Sequence, residues 1–403
     1  MSRYEKALTG VRQWSRLLDL HTEGYTPEEL KEACTQTLVA ILEDASAVDD
    51  LRRDHLIAEA INLRRIFDDP WSTNHFCFCL DLHRRANVLN SKASIAECAR
   101  WELPISRGLG HYWSSLQLEQ PKGDLALEDF AAEAFRNIGC LLEATTQPLL
   151  RELLGQLRLT RGKATDNIEQ LDFGVVVSEL ESTSGTENLF APKPWGVSLS
   201  QWRNIAQHHN FVVEDNIVRI RYGKGERIRE FDMSREDLWS LLYRVFRIQL
   251  LIKTARTIFV LDHRGTLRGQ MKAVPERPDA LAFGFATIMA SQGFEVIFFE
   301  AQPDRARAVV RDLTEMPPYI RQFHASQLVQ NLWVATGAME CELEYQQCDG
   351  TPTLITIASA TDCEAVGNEQ IDIGEFGRRV IFRRLANCTP PVDLEERLRQ
   401  MST

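Results

Sequence analysis

The sequence has no apolar run of about 18 residues, the length that a membrane-spanning helix requires. Its first residues, MSRYEKALTGVRQW, lack the apolar segment of a secretory signal, so we expect no export and no membrane association. The nine cysteines show no spacing typical of a disulfide framework, which favours reduced thiols in a cytoplasmic protein. Internal repeats and low-complexity segments are absent as well.

The sequence does contain what an ordinary globular protein needs. It has 403 residues, of which 44% are hydrophobic and 26% charged, and this length predicts two or three domains. The net charge of −11 argues against a protein whose whole surface coats DNA or an anionic membrane, although it allows a local basic patch.

The sequence predicts a mainly α protein with a C-terminal α+β module. Residues 1–120 are expected to form an N-terminal helical domain, because segments such as 26–45 and 52–67 repeat apolar residues every three or four positions. Thr26 followed by Pro27 is a helix start signal. The turn-like sequence QPKGD at 120–124 is a plausible domain boundary.

Residues 125–260 are predicted to form a compact helical bundle with a small β insert. A long amphipathic helix covers 125–157 with a possible kink at Pro148, and further helices follow at 168–182 and around 198–210. Alternation in 211–233 predicts short strands, and Ser234 is a suitable N-cap for a closing helix.

Residues 261–403 have the texture of an α+β domain without a glycine-rich phosphate loop. We predict strands at 294–301 and 378–385, a helix at 304–316 and a hairpin that turns near Asp349-Gly350. This region has no recognisable catalytic signature.

The segment SLSQWRNIAQHHN, residues 198–210, carries the clearest chemical pattern. On a helix, Asn204 and His208 lie four residues apart and share one face, and the long side chain of Arg203 can reach the same surface. The opposite, apolar face consists of Leu199, Trp202, Ile205 and Ala206.

These residue types suit the cleavage of RNA. Histidine can accept the 2′-hydroxyl proton or protonate the leaving oxygen near neutral pH. Arginine binds phosphate with two hydrogen bonds and stabilises the charge that develops on it. No metal or other cofactor is required, because RNA supplies its own nucleophile.

The sequence Arg203-Asn204-Ile205-Ala206-Gln207-His208 resembles the Arg-x4-His signature of HEPN proteins, and its setting in residues 125–260 resembles the HEPN four-helix bundle. The resemblance implies a metal-independent endoribonuclease of anti-phage defence or toxin systems. It implies that two chains form a homodimer with one composite site, in which Arg203 and His208 are catalytic and Asn204 supports them. It also implies that an antitoxin or another regulatory partner restrains the activity.

Two alternatives remain open from the sequence. The bundle could be a non-catalytic HEPN-like dimerisation or scaffold domain that binds a partner, in which case Arg203 and His208 would end an ordinary surface helix. It could also bind or modify nucleotides instead of RNA chains, as some HEPN relatives do.

Basic residues are concentrated between residues 217 and 256. This segment contains ten lysines and arginines and five acidic residues, which gives a local net charge of +5. We predict that this segment contacts the RNA backbone. The predicted RNA-binding residues are Arg219, Arg221, Lys224 and Arg227. The aromatic residues nearby could stack bases, but core packing is the favoured role for Trp239 and Tyr243.

Two weaker patterns have a structural explanation that we favour. His75, Cys77, Cys79 and His83 could bind a soft metal, but a C-x-C spacing is unusual for structural zinc, so buried thiols are expected and no metal site is predicted. Asp262-His263 could form a second acid–base pair, but it is expected to lie in a turn.

Overall fold

The computed structural model describes residues 3–14, 17–46, 48, 56–117, 125–183, 189–223, 225–267, 269–270 and 277–385. The α-helices in these ranges are α1 (Arg3–Trp14), α2 (Leu17–Thr22), α3 (Pro27–Val39), α4 (Ile57–Phe67), α5 (Pro70–Leu89), α6 (Ser91–Gln117), α7 (Leu127–Cys140), α8 (Gln147–Thr160), α9 (Phe173–Glu181), α10 (Leu199–His208), α11 (Arg235–Asp262), α12 (Arg264–Leu267), α13 (Pro278–Ser291), α14 (Pro318–Gln327), α15 (Val329–Thr336), α16 (Ala360–Gly367) and α17 (Ile373–Arg379). The strands are β1 (Phe211–Glu214), β2 (Ile217–Tyr222), β3 (Arg229–Met233), β4 (Phe294–Ala301), β5 (Arg305–Asp312), β6 (Glu340–Gln346), β7 (Pro352–Ser359) and β8 (Ile381–Arg384).

The protein is mainly helical with a sheet-containing C-terminal part, as predicted. Its contacts divide the chain into two compact units. The helical unit comprises residues 37–50 and 59–275, and the sheet unit comprises 1–36, 51–58 and 276–403. The division of the sequence into 1–120, 125–260 and 261–403 remains a prediction, and the proposed boundary at 120–124 lies outside the described residues. Within the described ranges, no helix has both the length and the apolar character needed to cross a membrane.

The helical unit is built from long helices that pack side by side. Helix α5 packs against α8 and α11, while α6 packs against α5 and α8. Helix α10 lies against α7, and the antiparallel sheet β1-β2-β3 lies between α10 and α11 in sequence. The unit therefore uses helices from both sides of residue 120, and the expectation that 125–260 alone forms a HEPN-like bundle is not confirmed.

Helices α7 and α8 are joined by a π-helical turn, Leu141–Thr146, so 127–160 forms one continuous helical rod. Both threonines of this turn, Thr145 and Thr146, donate their hydroxyls to the carbonyl oxygen of Leu141, at 2.6 and 2.8 Å. The proline that suggested a kink, Pro148, lies in the first turn of α8, where its missing N–H costs little. The irregularity thus precedes Pro148 instead of starting at it.

The core between α5, α6, α8 and α11 contains a buried charged group. Glu152 is 1% exposed and accepts a hydrogen bond from Arg256 Nε at 2.5 Å. His83 donates from Nδ1 to the carbonyl oxygen of Cys79, and its Nε2 lies 3.3 Å from Glu152. Burial opposes ionisation of Glu152, but the charges and hydrogen bonds of Arg256 and His83 hold the pKa of this carboxyl below its ordinary value.

The sheet unit contains a five-stranded sheet in the order β4-β5-β6-β7-β8. Strands β5 and β6 run parallel and are linked through α14 and α15, whereas the other neighbours are antiparallel. The hairpin β6–β7 turns at Gln347–Thr351, which confirms the prediction at Asp349-Gly350.

The predicted helix at 304–316 is wrong, because most of this segment is strand β5. The strand pairs with β4 on one side and β6 on the other. Every second residue of the strand is buried, from Ala306 to Asp312, and Val309 is buried in addition. The burial therefore alternates as in a half-buried strand, and the helix prediction overlooked this period.

A buried polar cluster joins β5, β6 and α14. Arg321 pairs with Asp312 at 3.1 Å, and Tyr345 donates its hydroxyl to the same carboxylate at 3.0 Å. Arg321 also donates from Nη1 to Nδ1 of His324 at 3.1 Å, so this ring nitrogen must be unprotonated. Burial, followed by the charges of Arg321 and Lys31, lowers the pKa of His324 to about 4, against the opposing effect of Asp312.

We predict that a methyl group on Gly108 of α6 destabilises the helical unit. A Cβ atom at this position would overlap the backbone carbonyl of Ala144 in the π-helical turn. Gly108→Ala should therefore lower the free energy of unfolding by about 2 kcal/mol or more, as measured by urea denaturation. Gly265→Ala is the matched control, because no atom lies within 4 Å of its added Cβ. Equal stability of the two variants would contradict the close approach.

We also predict that His324 makes the stability of the sheet unit depend on pH. Between its ordinary pKa of 6.5 and the folded value of about 4, the unfolded chain binds a proton that the folded chain does not. The free energy of unfolding should fall by up to about 3 kcal/mol as the pH drops through this window. His324→Asn should flatten the dependence in denaturation curves recorded from pH 7 to 4, and an unchanged slope would refute this assignment.

Candidate functional site

Helix α10 forms where the sequence predicted it and carries the Arg-Asn-x3-His motif. The Ser198 hydroxyl accepts a hydrogen bond from the Gln201 N–H at the helix start, and His209 ends the helix in the left-handed conformation, with φ of 50°. The apolar face is buried as expected, with Trp202 and Ile205 both at 0% exposure. The other face is left to the polar residues of the motif.

Arg203 is held by Glu143, which lies in the π-helical turn. Its Nε bonds one carboxylate oxygen, and its Nη2 donates to the other at 3.2 Å. Its Nη1 donates to the side-chain oxygen of Asn204 at 3.3 Å. Because a guanidinium has five N–H groups, one on each Nη atom remains for another acceptor.

The structure brings Arg203 and Asn204 together at a groove, but His208 lies outside it. The groove has a volume of about 430 Å³, and both residues line it. His208 is exposed one turn further along the same face of α10, and within the described ranges its imidazole has no hydrogen-bond partner. Within one chain, therefore, Arg203 and Asn204 lie at the groove, whereas His208 lies on the open surface.

A second arginine, Arg151 of α8, also lines this groove. It donates to the carbonyl oxygens of Glu169 and, at 3.0 Å, Leu171, and its Nε is buried without a hydrogen-bond partner among the described residues. Burial lowers the pKa of Arg151 despite carboxylates nearby, whereas the hydrogen bond to Glu143 raises that of Arg203 against burial. Arg151 is therefore less well neutralised than Arg203, and an anion in the groove would compensate it.

Two of the predicted RNA-binding residues form ion pairs within the protein. Arg219 pairs with Glu214 at 2.7 Å and Asp232 at 3.1 Å. Arg221 lies 3.3 Å from Glu230 on the adjacent strand. Arg227 is exposed and has no ion pair among the described residues, and Lys224 lies outside them. Their role in RNA binding remains a prediction.

The two aromatic residues of α11 that were expected in the core are exposed instead. Trp239 is 41% exposed although it contacts Phe130, with ring centroids 5.5 Å apart, and Tyr243 is 59% exposed. Beside them, the guanidinium of Arg244 lies 4.3 Å above the ring of Trp71. This surface thus combines aromatic rings and positive charge, as surfaces that stack bases do.

The weaker sequence patterns have structural roles. Residues 75–83 belong to helix α5, where His75 and His83 each hydrogen-bond a carbonyl four residues earlier. No group of three or more potential metal ligands occurs among the described residues, and every cysteine there is a free thiol. Asp262 is the last residue of α11 and accepts hydrogen bonds from Arg84 and from the backbone N–H of Glu43. Its role is therefore structural.

Sequence reasoning missed Glu143 and Arg151. Glu143 precedes its partner Arg203 by sixty positions, and no local spacing links the two. Arg151 looks like one more charge of an amphipathic helix. A long amphipathic helix over 125–157, which contains both residues, was predicted, but not which of its faces would lie against α10.

We predict that Arg203 contributes little to stability, in contrast to the buried Arg256. The Arg203–Glu143 pair is partly exposed, at 31% and 41%, so Arg203→Ala should cost less than about 1 kcal/mol. Arg256→Met leaves Glu152 buried without its counter-charge and should cost about 3–5 kcal/mol. Urea denaturation of both variants measures the difference, and a large loss in Arg203→Ala would give this residue a structural role.

No family model, curated protein or solved structure matches the chain. The resemblance to HEPN proteins therefore depends on the motif and its helical setting alone. Any functional conclusion has to come from the geometry around α10.

Proposed function

We propose that the protein is a metal-independent endoribonuclease of HEPN type. The observation that carries the proposal is the arrangement on α10, where Arg203 and Asn204 line a groove and His208 lies exposed one turn further along the same face. A guanidinium with N–H groups to spare and an imidazole that has no hydrogen-bond partner among the described residues are the two groups that this chemistry needs.

In the proposed reaction, the 2′-hydroxyl of the substrate attacks the adjacent phosphorus. A bond forms between O2′ and phosphorus and the bond from phosphorus to O5′ breaks, giving a 2′,3′-cyclic phosphate and a free 5′-hydroxyl. A histidine base takes the proton from O2′ and a histidine acid returns one to O5′. Arg203 stabilises the negative charge on the non-bridging oxygens.

We propose a homodimer because the reaction needs both a histidine base and a histidine acid, whereas each chain supplies one His208. Two copies of α10 facing each other across a two-fold axis would supply one imidazole as base and one as acid. The exposure of His208 leaves it accessible for such an arrangement. A role in anti-phage defence or as a toxin, with an antitoxin or regulatory partner, belongs to the same proposal and follows from the resemblance alone.

One observation favours a second candidate, a non-catalytic HEPN-like scaffold. Arg203 already pairs with Glu143, and a structural pair of this kind needs no substrate. This candidate predicts no RNA cleavage. It also predicts that replacing His208 has no effect on any activity of the protein.

The decisive test is cleavage of single-stranded RNA in the presence of EDTA. The wild-type protein should cleave, and Arg203→Ala and His208→Ala should each lower the rate by about 100-fold or more. Arg64→Ala is the matched control, because this exposed arginine of α4 lies outside the groove. Circular dichroism melts should show that all the variants fold. Cleavage that persists in both motif variants would place the activity elsewhere, and a wild-type protein without cleavage would favour the scaffold.

A further inference from the structure

The groove beside Arg203 contains more hydrogen-bonding groups than the binding of a phosphate group requires. Gln201 and Asn204 of α10 form one wall, and Gln147 and Arg151 of α8 form another. The segment 169–174 closes the groove, with Asp172 at the start of α9. Its volume of about 430 Å³ lies in the range of small-molecule sites.

Much of this hydrogen-bonding capacity is not used by the protein. Gln147 and Gln201 are only half-buried, and neither side-chain amide has a hydrogen-bond partner in the parts of the chain that are described. Polar groups in such positions are usually satisfied by a partner or by water, so the groove is suited to a polar ligand.

The charges around the groove argue against a purely anionic ligand. Glu169 is paired with Arg100 at 3.0 Å and Glu143 with Arg203, while Asp172 adds a further negative charge. The ligand must therefore offer hydrogen-bond donors as well as a phosphate. Side-chain amides, which combine a donor and an acceptor, are the groups that read the edges of nucleobases.

We infer that the groove binds the nucleobase of the nucleotide whose phosphate contacts Arg203, and that it selects a base with an exocyclic amine, such as adenine, over uracil. The inference rests on the proposed function. An amide forms two hydrogen bonds with N6 and N7 of adenine, and a carboxylate such as Asp172 accepts from its exocyclic amine. Uracil has no exocyclic amine, so its carbonyl oxygen would face the carboxylate without a hydrogen bond.

The position of the groove along α10 connects base recognition with cleavage. Asn204 ends the groove, and His208 follows about 6 Å further along the helix axis. A base held by Gln201 and Gln147 would place its own phosphate at Arg203 and direct the chain toward His208. The base in the groove then determines next to which nucleotide the RNA is cut.

The first test is the base preference of cleavage. With oligonucleotides that contain a single adenosine or a single uridine at otherwise identical sites, the wild-type protein should cut beside adenosine at least tenfold faster. Gln201→Leu should reduce this ratio to less than twofold. Gln207→Leu is the matched control, since Gln207 lies on the same helix, is exposed and does not line the groove. Cleavage without a base preference, or a preference that Gln201→Leu leaves unchanged, overturns the inference.

The second test separates this inference from the proposed nuclease activity. In equilibrium dialysis, the protein should bind adenosine 3′-monophosphate at least tenfold more tightly than uridine 3′-monophosphate. His208→Ala should keep this difference because His208 lies outside the groove, whereas Gln201→Leu should lose it. Selective binding without RNA cleavage would refute the nuclease but support the groove as a base site. Cleavage without selective binding would refute the base site alone.

Discussion

The candidate site depends on one ion pair, between Arg203 on α10 and Glu143 in the π-helical turn. This pair fixes the guanidinium from one side and leaves an N–H group on each Nη atom for a phosphate. An arginine that is already oriented loses less conformational entropy when it binds than a free surface arginine does. The same pair also weakens phosphate binding, because a phosphate at Arg203 comes close to the negative charge of Glu143. The site therefore needs additional positive charge or hydrogen bonds, and the half-buried Arg151, which lines the same groove, can supply them.

Glu143 faces α10 because the helical rod 127–160 is not a regular α-helix throughout. The π-helical turn adds a residue to one turn, so every side chain after it is rotated relative to those before it. Two threonine hydroxyls bind the carbonyl oxygen of Leu141 within this turn, and Gly108 allows α6 to approach its backbone closely. Gly139 has a similar role before the turn, where an added Cβ would lie 3.2 Å from Ala206 of α10. Small residues thus allow close packing around the segment that carries Glu143, and this packing determines the geometry of the site.

Sequence reasoning succeeded where the signals are local. Thr26 and Ser234 were recognised as helix starts, and both hydroxyls accept hydrogen bonds from the backbone N–H three residues later. The alternation in β2 was read correctly, since Val218 and Ile220 are fully buried. It failed at strand β5, where the alternating burial was overlooked although the strand pairs with a neighbour on each side, and at Trp239, which stays exposed although its residue type favours the core. The candidate site falls between these cases, because the residues on α10 are local to one helix while Glu143 and Arg151 come from a distant segment.

The charge count between residues 217 and 256 shows how a composition argument can mislead. Each acid in a window cancels one charge in the sum, but position decides which cation it neutralises. In the sheet of the helical unit, Arg219 and Arg221 lie directly opposite Asp232 and Glu230 in the register of β2 and β3, so these cations are paired within the protein. On α11, Arg247, Lys253 and Arg256 are also ion-paired, with Asp69, Glu59 and the buried Glu152 respectively. Arg244 instead stacks on Trp71, and a cation over an aromatic ring keeps its full charge. The positive potential available to a polyanion is therefore weaker than the sequence window implies, both along the strands and along most of α11, and Arg244 is a cation of the helix that keeps its charge.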